Sequence, residues 1–150
     1  HPNAADWFDA VEIRPEEGIA LANIVGRSGS VRIGDFFELI ESWASTSERQ
    51  WDLIVTNPPF TLALEYARAC VDIAERTGGA TVALLMRLGF LGALKRRMFL
   101  RDRMPDVYVL SRRPSFTGDG KTDSDVYAWF VWRVEAWENR SNYVGEVRVL

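Results

Sequence analysis

Short apolar, β-branched runs alternate with helical patterns along this chain, and that alternation limits its architecture more than any other feature. The runs are Ala10–Ile13, Val31–Ile33, Leu53–Thr56, Thr81–Met86, Val107–Leu110 and Val126–Trp132, bounded by turn-forming or charged residues as buried strands are. Between them, Leu62–Arg76 has helical spacing: Leu64, Ala67, Val71 and Ala74 share one face, while Glu65, Arg68, Asp72 and Arg76 occupy another. Gly78 and Gly79 stop that helix. Pro15–Asn23 opens with proline and two acids, as a helix N-terminus does, and Phe37–Ala44 and Leu91–Arg103 complete the helical set. Strand and helix in turn predict an α/β fold with a mostly parallel sheet, whose ligands gather at the carboxyl ends of the strands. The last two strands, joined by Ser111–Ser124, are able to pair as an antiparallel hairpin instead. Trp129 and Trp132 are expected to pack the sheet, and Trp137 with the tail Tyr143–Leu150 to add an edge strand or dock a neighbour.

A chain of 150 residues with 47% hydrophobic and 26% charged content is expected to form one domain, residues 1–150. The single cysteine, Cys70, has no disulfide partner, and His1 is the only histidine, so no metal site is expected. No apolar run approaches the roughly 20 residues that span a bilayer, and the first residues lack a secretory pattern, which predicts a cytoplasmic protein without membrane contact. A net charge of −3 argues mildly against non-specific nucleic-acid binding. Its distribution is uneven, however: Lys95, Arg96, Arg97, Arg101, Arg103, Arg112 and Arg113 cluster, either as a solvated helix face or as a patch that tracks phosphates.

The stretch that carries chemistry is Trp51–Phe60, a buried strand that ends abruptly in Asn57-Pro58-Pro59-Phe60 and leads at once into a helix. Neither proline has an N–H, and Pro59 forces Pro58 into an extended conformation, so the peptide is stiff. Adenine's exocyclic amine is a poor nucleophile because its lone pair is conjugated with the ring. A site that alkylates it needs two acceptors for the two N–H bonds. The Asn57 side-chain oxygen and the Pro58 carbonyl fit that demand, aiming the nitrogen lone pair at an incoming methyl. Phe60 supplies a flat face for the base, which must leave the duplex to reach it. The alternative at this place is a structural turn, with Asn57 as a helix cap and Phe60 in the core.

Through Asn57, Pro58, Pro59 and Phe60 the chain resembles the amino-methyltransferases, which methylate adenine N6, cytosine N4 or, in a minority, protein amides. From Val11 to Trp132 it is similar to phage-type and mobile-element adenine methyltransferases, the later match being Arg113–Gly118 and Tyr127–Phe130. The resemblance implies a Rossmann-like class I methyltransferase fold, S-adenosylmethionine as cofactor, and a flipped adenine of DNA as partner. Glu12, at the end of an early strand, stands where a carboxylate accepts from both ribose hydroxyls of the donor. Asp35 stands where an acid accepts from the donor's adenine amine, and Phe36 where a ring packs on it. Ser115, Phe116 and Thr117 fall in a loop that borders the base pocket of such enzymes; a glycine-bearing hairpin loop is the other reading.

The glycine-rich turn that opens this family's donor site has no counterpart. Gly26–Ser30 and Gly118–Gly120 do not follow an acid-ended strand into a helix, and nothing after Phe60 supplies a permuted version. The expectation is that the first strand is missing, that it belongs between the strand ending at Glu12 and the strand ending at Thr56, and that an upstream segment or a second chain supplies it. Three functions are therefore open: DNA adenine-N6 methylation; methylation of RNA, cytosine N4 or a protein glutamine; and a non-catalytic module that binds nucleic acid or a partner.

Overall fold

The computed structural model describes residues 8–44, 50–115, 124–135 and 145–150. Its elements are β1 (Phe8–Glu12), α1 (Gly18–Val25), β2 (Gly29–Ile33), α2 (Phe36–Ala44), β3 (Leu53–Thr56), α3 (Ala63–Arg76), β4 (Gly79–Arg87), α4 (Arg97–Asp102), β5 (Asp106–Val109), β6 (Tyr127–Glu135) and β7 (Val147–Val149). This is an α/β fold. The chain divides into two compact units, His1–Ser47 and Glu48–Leu150.

In the first unit β1 and β2 pair in parallel, from Phe8 opposite Gly29 to Glu12 opposite Ile33. Parallel neighbours require a crossover, and α1, packed on both strands, provides it. A Cβ on Gly29 would sit 1.9 Å from the Phe8 carbonyl oxygen, so only glycine lets β2 begin there. No residue of α1 is buried, and Ile19 and Ile24 are largely exposed.

The second unit holds a five-stranded mixed sheet in the order β3-β4-β6-β5-β7. β3 runs parallel to β4, β6 is antiparallel to both β4 and β5, and β7 is parallel to β5. The expected hairpin of β5 and β6 forms, with β6 inserted between β4 and β5. The tail adds the edge strand β7. β3 is not the buried strand its apolar run predicts: it lies at the other edge, paired on one side only, with Leu53 and Val55 more than half exposed.

The core of this unit is built from alternation on the strands and a stripe on α3. Val82, Leu84 and Met86 of β4 stand opposite Trp132, Phe130 and Ala128 of β6, and all six are buried. Phe130 meets Phe90 edge-on at 5.3 Å, a geometry that ring quadrupoles favour, and lies within 25° of parallel to Trp132 at 6.4 Å between centroids. On α3, Leu64, Ala67, Cys70, Val71 and Ala74 make the buried stripe, and the helix packs on β4 and β6. It ends before Gly78 and Gly79, whose φ values of 101° and 100° disfavour any side chain. Buried Glu75 on α3 accepts a two-pronged ion pair from Arg103, at 3.0 and 2.9 Å. Buried Asp106 pairs with Arg133 of β6 and accepts the Glu146 N–H at 3.0 Å, fastening β5 to both neighbours.

The helix expected over Leu91–Arg103 is interrupted. Single 3-10 turns occupy Leu88–Gly92 and Leu94–Arg96, and only Arg97–Asp102 is α-helical. Gly89 and Gly92 weaken the helix, and the Arg96 guanidinium satisfies the carbonyls of Gly89 and Phe90 at 3.1 and 3.0 Å. Among the described residues no helix is long and apolar enough to cross a membrane.

Burial pushes the Cys70 thiol up to about 12 from its usual 9.0. Below pH 9 the thiol is protonated in both folded and unfolded chains; above it the unfolded chain ionises first, so stability falls as pH rises through the folded value. Cys70 is expected to resist an aromatic disulfide reagent at about pH 8 and to react only as fast as the chain opens. Immediate stoichiometric labelling of native protein would contradict that burial.

Candidate functional site

β3 delivers the candidate catalytic turn to the carboxyl end of the parallel β3–β4 pair, where Thr56 stands opposite Leu84. The chain then leaves the sheet through Asn57, Pro58 and Pro59. Pro59 is extended, at φ −54° and ψ 129°, and its carbonyl accepts the Leu62 N–H at 2.9 Å, starting the 3-10 turn Phe60–Leu62 that continues into α3. Neither the turn nor α3 has a side-chain cap. Asn57 is therefore not a helix cap. Its side chain is exposed and has no hydrogen-bond partner among the described residues, while Pro58 is fully buried, Pro59 exposed and Phe60 half-buried. Of the two expected acceptors, the Asn57 amide is open to solvent and the Pro58 carbonyl is enclosed in this conformation.

Phe60 sits among residues the sequence did not single out. Its ring centroid is 5.6 Å from that of fully buried Tyr127, tilted by 53°. The Arg87 guanidinium carbon lies 4.2 Å from the same centroid, a cation–π contact. Arg87 pairs with Asp125 at 2.9 Å, and its Nε makes a long 3.5 Å approach to the Tyr127 hydroxyl. Strand register creates this grouping, because Arg87 stands opposite Tyr127 where β4 ends and β6 begins. The usable signal was a charged residue directly after the apolar run Thr81–Met86, at a strand's carboxyl end.

The three candidate donor contacts lie in the first unit. Glu12 ends β1, and both its oxygens accept from the Arg14 guanidinium, at 2.9 and 3.2 Å, with the Arg14 backbone N–H at 3.0 Å. These side-chain and backbone hydrogen bonds hold its carboxyl below the usual range. A carboxylate has about four lone-pair sites, so a ribose diol can be accepted beside Arg14. Asp35 caps α2: its Oδ1 accepts the Phe37 N–H at 2.8 Å and the Glu38 N–H at 3.3 Å. Its other oxygen has no partner among the described residues. Phe36 meets Phe37 edge-on at 5.3 Å. In residue type, the strand-end acids fit S-adenosylmethionine.

Of the expected acceptor loop, Ser115 is exposed, and Phe116 and Thr117 lie outside the described residues. The basic cluster splits in two. Arg96, Arg101 and Arg103 are engaged within the fold. Lys95, Arg97, Arg112 and Arg113 are exposed, without partners among the described residues. No group of three His, Cys, Asp or Glu residues among the described residues is placed to hold a metal.

Asp35→Ala should destabilise the first unit by about 1 kcal/mol through loss of the cap, whereas Asp35→Asn, an equally good cap, should retain stability. Chemical denaturation followed by circular dichroism checks this; equal losses in both variants would show that the carboxylate charge matters instead.

Comparison with known protein families and with curated proteins gives no match. Seven chains of solved structures are similar, two of them as follows. A Spodoptera frugiperda DNMT2 triple mutant matches with a TM-score of 0.52 and 14% identity, over 95% of this chain and 46% of that one. A predicted O-methyltransferase, protein Atu636 from Agrobacterium tumefaciens, matches with a TM-score of 0.46 and 12% identity, over 94% and 77%. This chain thus spans less than half the length of the DNMT2 chain. The likeness to DNMT2 shows that the protein has the Rossmann-like α/β fold of a methyltransferase structure.

Proposed function

We propose that the protein methylates the N6 amine of adenine in DNA, with S-adenosylmethionine as the methyl donor. The observation that carries this reading is the Asn57 amide: exposed, not a helix cap, and without a partner among the described residues at the carboxyl end of a sheet strand. Leaving a rigidly placed amide unused by the fold is what a site for an external N–H donor requires. The Asn57 oxygen accepts one amine hydrogen, and the Pro58 carbonyl on the same stiff turn is assigned the other. Together they turn the nitrogen lone pair out of the ring's π system. Phe60 supports the extruded base, which has to be flipped because its amine is inaccessible in the duplex.

In this reading Glu12 holds the donor's ribose, Asp35 its adenine amine, and Phe36 its ring. The donor supplies an electrophilic methyl on a positively charged sulfur. Overall, the sulfonium and the amine give a neutral thioether, a methylated amine and one proton released to water. No strong base is required, and positioning accounts for most of the rate. The glycine-rich part of the donor site is assigned to an upstream segment or a second chain, and the setting to a cytoplasmic one.

The chain, alone and extended upstream, should be incubated with methyl-labelled donor and DNA, RNA or protein, and the products separated by mass spectrometry. Label on DNA adenine N6 is expected, and Asn57→Ala should lower kcat by about 10²-fold or more, the usual loss for one preorganised polar contact. Label on cytosine, RNA or protein would reassign the acceptor. No label and no calorimetric binding of S-adenosylmethionine by the longer chain would sink the enzymatic reading.

A further inference from the structure

The described residues bring one cation to the candidate acceptor turn, and the function proposed above does not use it. Arg87 is the last residue of β4, with its guanidinium carbon 4.2 Å from the Phe60 centroid. Its counter-ion is Asp125, at 2.9 Å, and both side chains are 45% exposed. An ion pair this open contributes about 0–1 kcal/mol, so another anion displaces the carboxylate at little cost. The contact with Phe60 engages the cation's charge through the ring face and not through a hydrogen bond. A guanidinium presents those donors in a planar fork that matches a phosphate.

A base laid against Phe60 brings its own sugar-phosphate within a few ångströms of that ring, and the anion of a nucleotide nearest its base is that phosphate. We propose that Arg87 positions the acceptor: it binds a backbone phosphate of the extruded nucleotide, exchanging Asp125 for it. The inference rests on the nucleic-acid reading and adds the residue that holds the acceptor's backbone. Asp125 keeps the arginine neutralised and stacked on Phe60 while no acceptor is present. Tyr127, fully buried beneath Phe60 and within 3.5 Å of the Arg87 Nε, fixes the height of both groups.

The test is DNA binding by the full chain, measured against salt concentration for the wild type, Arg87→Gln, Arg87→Lys and Asp125→Asn, each checked for an unchanged melting profile. Loss of one phosphate contact should make the slope of log K against log salt shallower by about 0.9 in Arg87→Gln. Arg87→Lys, which keeps the charge, should restore the slope. Asp125→Asn should bind about 2- to 5-fold more tightly at low salt, since the competing carboxylate is gone. A wild-type slope in Arg87→Gln overturns the inference, as does weaker S-adenosylmethionine binding with unchanged DNA binding, which would assign Arg87 to the donor's carboxylate. If Arg87→Gln does not fold, unchanged affinity in Asp125→Asn overturns it equally. Absence of DNA binding by the wild type at any salt removes the functional reading and this inference together, whereas wild-type binding with an unaltered Arg87→Gln slope removes this inference alone.

Discussion

The antiparallel ladder between β4 and β6 is the constraint on which the larger unit depends. It runs from Gly79 opposite Glu135 to Arg87 opposite Tyr127 and occupies the middle of the five-stranded sheet. Burial on β4 alternates strictly, so on one face Val82 and Leu84 meet Trp132 and Phe130 of β6 and Met86 meets Ala128. Full burial of side chains this size contributes about 1.5–3 kcal/mol each, and favourable ring pairs add about 0.5–1.5 kcal/mol. The flanking elements are referred to this ladder: β3 pairs with β4, β5 with β6, and α3 packs over both central strands.

The candidate turn inherits its position from that frame. β3 has only four residues, but its parallel pairing with β4 places Thr56 beside Leu84, and the two prolines that follow remove conformational freedom where the chain leaves the sheet. The start of α3 makes no demand on Asn57 for capping, because the Pro59 carbonyl and the 3-10 turn handle the transition. An amide is thus held by backbone geometry and left uncommitted. The acids of the first unit contrast with it: Glu12 is engaged by Arg14, and Asp35 by the first N–H groups of α2. Each has a structural role that stands whether or not it also touches a ligand.

Much of the fold was legible because its signals are local. The bounds of Leu53–Thr56 are read to the residue, as an apolar run enclosed between Asp52 and Asn57, though not its exposure at a sheet edge, and the stripe of α3 with its stop at Gly78 needs no tertiary information. β4 and β6 extend beyond their apolar stretches, since Arg87, Arg133 and Glu135 belong to strands through ladder bonds their own character does not announce. The helix read over Leu91–Arg103 failed at its start, where glycine and carbonyl capture by Arg96 outweigh amphipathic spacing. The Asn57–Phe60 turn was visible because its chemistry is contiguous. The association of Phe60 with Arg87, Asp125 and Tyr127 was not, because strand register joins residues far apart in the chain.

The position of Tyr127 opposite Arg87 also ties the chemistry to the packing. Side chains alternate faces along a strand, so sliding β6 by a single position would turn Phe130 and Trp132 away from their neighbours in the same movement that separates Tyr127 from Phe60. A one-residue deletion inside β6 would therefore damage the hydrophobic interior and dismantle the aromatic seat together, so substitution, not a change of length, is the route by which this part of the chain can vary.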